Sequence, residues 1–158
     1  MRHVGGVMTR FAVLLAPALM AGFWVFGALA PAAAAPRDVP VGDPLRRVLL
    51  DAIRPEAEAL LAPPVVFRVI EIAADRDRAF ARLYATRPGG GAIEMERTPV
   101  VTHEGWSIDM IDGPRFEVFF HRRAGIWQVV RWDMGATDAW WYGYDCANYA
   151  AFYDGLGC

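Results

Sequence analysis

Residues 116–135, FEVFFHRRAGIWQVVRWDMG, decide the fold because two runs rich in β-branched and aromatic side chains lie on either side of Ala124 and Gly125. Runs of this composition indicate strands, and a two-residue pair that ends in glycine is typical of a tight hairpin turn. We therefore predict an antiparallel hairpin. Its turn sets Arg123 opposite Ile126, His121 opposite Gln128, Phe119 opposite Val130 and Glu117 opposite Trp132.

Both faces of the predicted hairpin carry large apolar side chains, because successive residues of a strand point to opposite sides. A sheet that is apolar on both faces needs a covering layer on each side. We therefore expect other parts of the chain to pack above and below it. One face holds Phe116, Val118, Phe120, Trp127 and Val129, and the other holds Glu117, Phe119, His121, Ile126, Gln128, Val130, Trp132 and Met134.

The first 34 residues have the layout of a secretory signal peptide. Arg2 and Arg10 supply a positive start, residues 11–30 are apolar and uncharged, and a stretch of alanines follows. We expect cleavage after Ala33 or Ala34. An uncleaved membrane anchor is the alternative, because the apolar run is long enough to span a bilayer.

We assign residues 35–42 to a short, frayed linker and residues 43–158 to a single domain in the periplasm or outside the cell. This length is sufficient for one hydrophobic core. The formal net charge of −2 argues against nucleic acid as a partner, and no membrane contact is expected once the signal is removed. A monomer and a homodimer both remain open.

The composition excludes several chemistries. Lysine and arginine together number 16 and all are arginine, so no Schiff base, pyridoxal phosphate enzyme or lysine-bearing phosphate loop can form. The only serine, Ser107, lacks the final glycine of a nucleophile elbow, since Asp109 stands there. His103 and Glu104 resemble the start of a zinc-binding helix, but its second histidine is missing. We expect no cofactor and no metal.

The C-terminal part of the chain combines two cysteines with many aromatic residues. Cys146 and Cys158 form an even pair, which in an oxidising compartment indicates a disulfide. It would close a loop of about 13 residues and contribute roughly 3 kcal/mol in the chain-entropy model. We expect a disulfide-pinned aromatic tail with short helical turns, the first capped by Thr137 or Asp138. Its aromatic residues are Trp140, Trp141, Tyr142, Tyr144, Tyr149, Phe152 and Tyr153.

An N-terminal helix is predicted from residue 43 onward. Asp43 supplies an N-cap oxygen and Pro44 fits the first helical turn. Pro55 removes one backbone bond, so we expect a kink or two abutting helices there, and Pro63-Pro64 ends the helical pattern. The apolar face comprises Leu45, Val48, Leu49, Ala52 and Ile53.

The remaining strands come before the central hairpin. Residues 65–72 and 78–86 have strand composition, whereas residues 87–115 have only scattered apolar positions and are interpreted as a long excursion holding one short element. The resulting fold class is α+β, with the N-terminal helix packed on a curved, about four-stranded antiparallel sheet. Its order of elements resembles the cystatin-like or NTF2-like architecture, which predicts little about function.

A closer resemblance rests on four segments of the sequence. They are GDPLRRVLLDAIRP at 42–55, ARLYATRPGGGAIE at 81–94, GIWQVV at 125–130 and GATDAWWYGYDCANY at 135–149. The chain resembles a family of small, secreted proteobacterial proteins of unknown function. That resemblance implies one compact secreted domain and assigns no functional residue.

Two groups of residues are candidates for a site. His121, with Glu117 or Asp138 assisting, could transfer a proton if a pocket brings them together, although Glu117 and His121 lie about 13 Å apart along one strand. The binding candidates are Trp132, Trp140, Trp141 and Tyr142, whose rings could stack on a sugar or an apolar partner.

The sequence favours a non-catalytic binding or accessory protein for an unidentified small ligand or protein partner. A small pocket enzyme that uses His121 is one alternative. The other is a protein inhibitor that presents residues 87–115 to an extracytoplasmic enzyme.

Overall fold

The computed structural model describes residues 35–153 and residue 158. The predicted signal peptide, residues 1–34, lies outside the described residues. No helix within them is long and apolar enough to cross a membrane. In chain order the elements are β1 (Arg37–Asp38), α1 (Pro44–Leu61), β2 (Val66–Asp75), β3 (Arg78–Thr86), α2 (Pro99–Thr102), β4 (Arg115–Arg123), β5 (Ile126–Met134) and α3 (Cys146–Tyr149), with 3-10 turns at Pro88–Gly90, Met95–Arg97, Ile108–Met110 and Ala150–Tyr153.

The five strands form one antiparallel sheet in the order β1-β2-β3-β4-β5. The α+β class is confirmed, but the strand count is five rather than four. The additional strand, β1, lies in the predicted linker, where Arg37 pairs with Ala74 and the Val39 amide donates to the Ile72 carbonyl at 2.9 Å. Residues 35–42 are therefore tied to the sheet edge, and α1 is not the first element.

Helix α1 begins as its cap residue predicts. Asp43 Oδ1 accepts a hydrogen bond from the Leu45 amide at 2.8 Å, and Pro44 occupies the first turn. The helix continues through Pro55 as one element rather than two. Val48 was predicted on the buried face but is 46% exposed. The buried stripe continues toward the C-terminus instead, through Leu49, Ile53, Ala57 and Leu61.

The central hairpin turns at Ala124 and Gly125, whose φ angles of 48° and 83° match a tight turn of left-handed residues. Near the turn the predicted register is confirmed, with His121 opposite Gln128. A bulge follows, because Phe120 pairs with Val129 while Phe119 pairs with Arg131, which leaves Val130 as the extra residue.

This bulge makes the predicted register wrong beyond Val130. Phe119 faces Arg131 instead of Val130, and Glu117 faces Asp133 instead of Trp132. Because one extra residue exchanges the two faces of a strand, Trp132 and Met134 lie on the face opposite to the predicted one. Both pack in the core beneath the helix.

The two faces of the sheet are covered by different parts of the chain. Helix α1 covers the first face, and we call its interior the helix-side core, which includes Leu83, Phe116, Val118 and Phe120. Residues 136–153, called the tail below, cover the second face. Its tail-side cluster buries Phe80 and Phe119 beneath Tyr149 and Tyr153. The expected helix capped by Thr137 or Asp138 is absent from this described stretch, where bends and turns precede α3.

Residues 87–115 form a cover over one part of the core and an exposed loop. Ile93, Met95 and Val100 are buried in the helix-side core, and α2 is the short element expected there. Residues 102–110 are all exposed. The segment is therefore anchored at its middle, and its longest exposed stretch lies between α2 and β4.

Candidate functional site

A cavity of about 180 Å³ lies between the second face of the sheet and the tail. We call it the tail-side cavity. The sheet contributes one aromatic ring and a pair of opposite charges, and the tail contributes four aromatic rings. The lining residues are Glu71, Phe80, Arg82, Trp141, Tyr142, Phe152 and Tyr153.

The polar part of this cavity is a fixed ion pair across two strands. Arg82 lies opposite Glu71 in the β2–β3 register, and its Nε donates to Glu71 Oε2 at 3.0 Å. Both side chains are about one third exposed, at 38% and 34%. Each partner therefore keeps hydrogen-bonding capacity toward the cavity.

Glu117 is the neighbour of Arg82 on the next strand and is fully buried. Its Oε1 accepts a hydrogen bond from Arg115 Nε at 2.9 Å, whereas Oε2 has no hydrogen-bond partner among the described residues. Burial raises the pKa of the Glu117 carboxyl, and the nearby positive charges of Arg115 and Arg82 oppose that shift.

Arg115 connects this buried acid to the start of the tail. Besides Glu117 it contacts Asp112, with 2.7 Å between Nη1 and Oδ2, and it donates from Nη2 to the Ala136 carbonyl at 2.7 Å. The chain is thereby fixed as it leaves β5. This contact determines where the aromatic residues that follow can reach the sheet.

The tail is held on the sheet by two tyrosines and a disulfide. The Tyr149 hydroxyl donates to the Phe120 carbonyl at 3.0 Å beside the bulge, and burial raises the Tyr149 pKa to about 12. The Tyr153 hydroxyl donates to the Tyr144 carbonyl, and burial raises its pKa as well. The predicted disulfide is confirmed, with 5.7 Å between the Cα atoms of Cys146 and Cys158.

The structure separates the four predicted binding residues. Trp141 and Tyr142 line the tail-side cavity, and Tyr142 is 44% exposed. Trp140 packs on Phe119 at 5.9 Å between ring centroids and lies under the Arg131 guanidinium. Trp132 is on the other side of the sheet and cannot belong to the same site.

The three catalytic candidates are not brought together. His121 lies beside Asp77, with 3.4 Å between Nε2 and Oδ2, and its Nδ1 accepts from Arg123. Glu117 is buried farther along the same strand, and Asp138 is an exposed residue of a bend. Neither His121 nor Asp138 lines the tail-side cavity. The geometry gives no support to a shared proton-transfer site.

Sequence reasoning missed the sheet residues of the cavity. Phe80 and Arg82 belong to the predicted strand 78–86, where two residues two positions apart share one face, but neither was a candidate for the site. Strand alternation was the available signal for Arg82. For Glu71 it was not sufficient, because a register shift between Val69 and Glu71 interrupts the β2–β3 pairing.

The residues that the structure describes contain no group of three His, Cys, Asp or Glu side chains that could hold a metal ion. Comparison of the chain with protein families, with curated proteins and with solved structures finds no match. Functional inference therefore rests on the geometry of the site.

Proposed function

We propose that this protein is a non-catalytic binding domain of the periplasm or the extracellular space, and that its tail-side cavity holds one ring of a saccharide. The observation that carries the proposal is the lining of the cavity. A charged pair, Arg82 and Glu71, forms its polar side, and aromatic rings of the tail form its walls.

The chemistry of a sugar ring fits this lining. Its C–H faces pack on aromatic rings, which provide large contact area at low entropic cost, as Trp141 and Tyr142 would do here. Its hydroxyls both donate and accept hydrogen bonds. Arg82 is purely a donor and Glu71, when ionised, purely an acceptor, so the pair fixes the orientation of such a ring.

The size of the cavity favours a single ring over a larger ligand. Its volume of about 180 Å³ is smaller than drug-sized pockets, and a cavity of about 150 Å³ is sufficient for a six-membered ring. Tyr142 is half exposed at its rim. A longer saccharide would therefore place one unit inside and extend over Tyr142.

Two features support the extracytoplasmic compartment. The disulfide between Cys146 and Cys158 is of the kind that persists under oxidising conditions. The first 34 residues have the composition of a signal peptide. The resemblance to small secreted proteobacterial proteins is part of the same proposal.

The test is a titration followed by tryptophan fluorescence and by NMR shifts. Glucose and N-acetylglucosamine are the probes, and cyclohexanol is the control ring with a single hydroxyl. We expect saturable binding of a saccharide and a loss of affinity of at least about fivefold in Trp141→Ala, because an aromatic contact contributes about 1 kcal/mol beyond its area.

Trp106→Ala is the matched control, because Trp106 is an exposed tryptophan in a different part of the chain. It should leave saccharide affinity unchanged. Saturable binding that is equal in wild type and Trp141→Ala would reject the cavity as the site. Failure of both saccharides to shift any cavity resonance would reject the proposed ligand class.

A second candidate function, a protein inhibitor or adaptor, is supported by the exposed loop between α2 and β4. Trp106, Ile108 and Met110 in this loop are 41%, 37% and 71% exposed. Apolar side chains of this size are typical anchors of protein interfaces. Crosslinking in the native extracytoplasmic extract tests this function. If the wild type and Trp141→Ala capture one and the same partner and Trp106→Ala does not, the result supports the inhibitor or adaptor function over saccharide binding.

A further inference from the structure

A second and larger cavity, of about 420 Å³, lies on the helix side of the sheet at the end where the β2–β3 and β4–β5 turns meet. Its walls come from four parts of the fold. Strand β1 contributes Arg37, the end of β2 with the turn after it contributes Asp75 and Arg76, helix α1 contributes Leu45, and the second hairpin contributes Arg122 and Trp127. The tail takes no part in it, so this cavity is independent of the site proposed above.

The lining carries more positive than negative charge, with three arginines and a single aspartate, Asp75. Arg37 pairs with Asp43 at 2.8 Å and Arg76 with Asp75 at 3.3 Å. Within residues 35–153 and 158, Arg122 forms no ion pair and lies over the Trp127 ring, 6.0 Å from its centroid. The Arg122 guanidinium therefore has its N–H donors available to a ligand in the cavity.

Helix α1 contributes Leu45 to the lining of this cavity. The Asp43 carboxylate caps the first turn of α1 by accepting a hydrogen bond from the Leu45 amide at 2.8 Å, so the positive potential of the cavity comes from its arginines. Leu45 and Trp127 also provide an apolar wall opposite the charged groups.

We propose that this cavity binds a small phosphate monoester with a flat or apolar organic group. The guanidinium of Arg122 and those of Arg37 and Arg76 contact the phosphate, since the planar fork of arginine matches the geometry of phosphate oxygens. The organic group packs against Trp127 and Leu45. The cavity volume lies within the range of pockets that enclose small ligands.

The test uses the protein purified from cells that express the full chain, with the disulfide intact. Phenyl phosphate is titrated by isothermal calorimetry and NMR at fixed ionic strength, with inorganic phosphate as the probe that lacks the ring. We expect saturable binding of phenyl phosphate, weaker binding of inorganic phosphate, and a loss of about tenfold in Arg122→Gln, because a hydrogen bond to a charged group is lost.

The matched control is Arg123→Gln, which removes the same charge from the neighbouring residue, whose Nε contacts His121 and which does not line the cavity. It should leave the affinity unchanged, and Arg76→Gln should weaken binding like Arg122→Gln. Equal weakening by Arg123→Gln would show mere attraction to a basic surface and overturn the proposal. Absence of saturable binding in the wild type would also overturn it.

A lipid headgroup and a free ester share this phosphate chemistry, and vesicles distinguish them. Phosphatidylcholine vesicles with and without phosphatidic acid are sedimented with the wild type and with Arg122→Gln. Cosedimentation that requires both phosphatidic acid and Arg122 identifies the lipid as the source. Saturable phenyl phosphate binding without cosedimentation identifies a soluble ester.

Discussion

At the scale of single residues, Glu117 is the most unusual group in this protein. It is a carboxylate in the middle of β4, fully buried, with one oxygen bound by Arg115 and the other without a partner in the described part of the chain. Desolvation disfavours its charged form more than the two arginines favour it, which is why its pKa is raised. This residue makes the stability of the fold sensitive to pH.

The Glu117→Gln variant tests this sensitivity. Because the pKa is raised, the folded protein holds the Glu117 proton more tightly than the unfolded chain does. The resulting stabilisation is complete at pH values below the Glu117 pKa of the unfolded chain. It is lost as the pH rises through the Glu117 pKa of the folded protein. Glutamine does not titrate. From pH 8 down to pH 4, the unfolding free energy of the wild type should therefore rise relative to that of Glu117→Gln.

Urea denaturation at a series of pH values measures this difference. Glu94→Gln is the control, because the Glu94 side chain is 64% exposed and pairs with Arg97 on the surface. The unfolding free energy of Glu94→Gln relative to the wild type should change little with pH. If the unfolding free energy of the wild type instead falls relative to that of Glu117→Gln as the pH is lowered, the charges of Arg115 and Arg82 outweigh desolvation.

At the scale of elements, the C-terminus of α1 is capped by the side chain of a residue that follows strand β3. Arg87 follows β3 and donates to three backbone carbonyls: Leu61 at 2.7 Å, Ala62 at 2.5 Å and Pro64 at 3.1 Å. The last carbonyls of a helix lack partners within the helix, and a cation there also interacts favourably with the helix dipole. One arginine thus joins the end of the helix to the end of the sheet.

Arg87→Ala should lower the unfolding free energy by about 2 kcal/mol, because these carbonyls lose their charged donor. Arg97→Ala is a matched control, since the Arg97 side chain is 82% exposed and pairs with Glu94 on the surface; it should change stability by less than about 0.5 kcal/mol. Urea unfolding midpoints compare the two. Equal effects would show that the carbonyls at the helix end are satisfied by water.

At the scale of the whole molecule, the tail determines whether the tail-side cavity exists. Four of its lining residues belong to residues 136–153, and the disulfide joins the helix at Cys146 to Cys158. The sheet and α1 form their own core on the other face. Loss of the disulfide should therefore loosen the cavity before it unfolds the sheet.

Reduction should lower the melting temperature by about 10 °C, as expected when a loop of this size contributes about 3 kcal/mol. Calorimetry with and without reductant measures the shift, and tryptophan fluorescence at a temperature below the transition reports exposure of the tail. The Cys146→Ser/Cys158→Ser variant should show the lower melting temperature in both conditions. A wild type that melts identically with and without reductant would contradict a structural role for the bond.

Local chemistry in the sequence was sufficient for several features. The cap at Asp43 and Pro44, the bounds of β3, the turn at Ala124 and Gly125, and the disulfide were each predicted and are present. Each depends on residues that are neighbours in the chain or on a single reactive pair. Their physical causes, a capping oxygen, a period of two and a left-handed turn, act within a few residues.

The sequence by itself therefore determined the α+β class, the helix start, the hairpin turn and the covalent closure of the tail. Only the tertiary structure decided the rest: the pairing of β1, the bulge at Val130 that moves Trp132 to the other face, and the meeting of Arg82 and Glu71 with the tail aromatics. The physical reason is that strand register is fixed by contacts between distant segments. A single extra residue exchanges the two faces of a strand, and nothing in the local sequence around Val130 marks it.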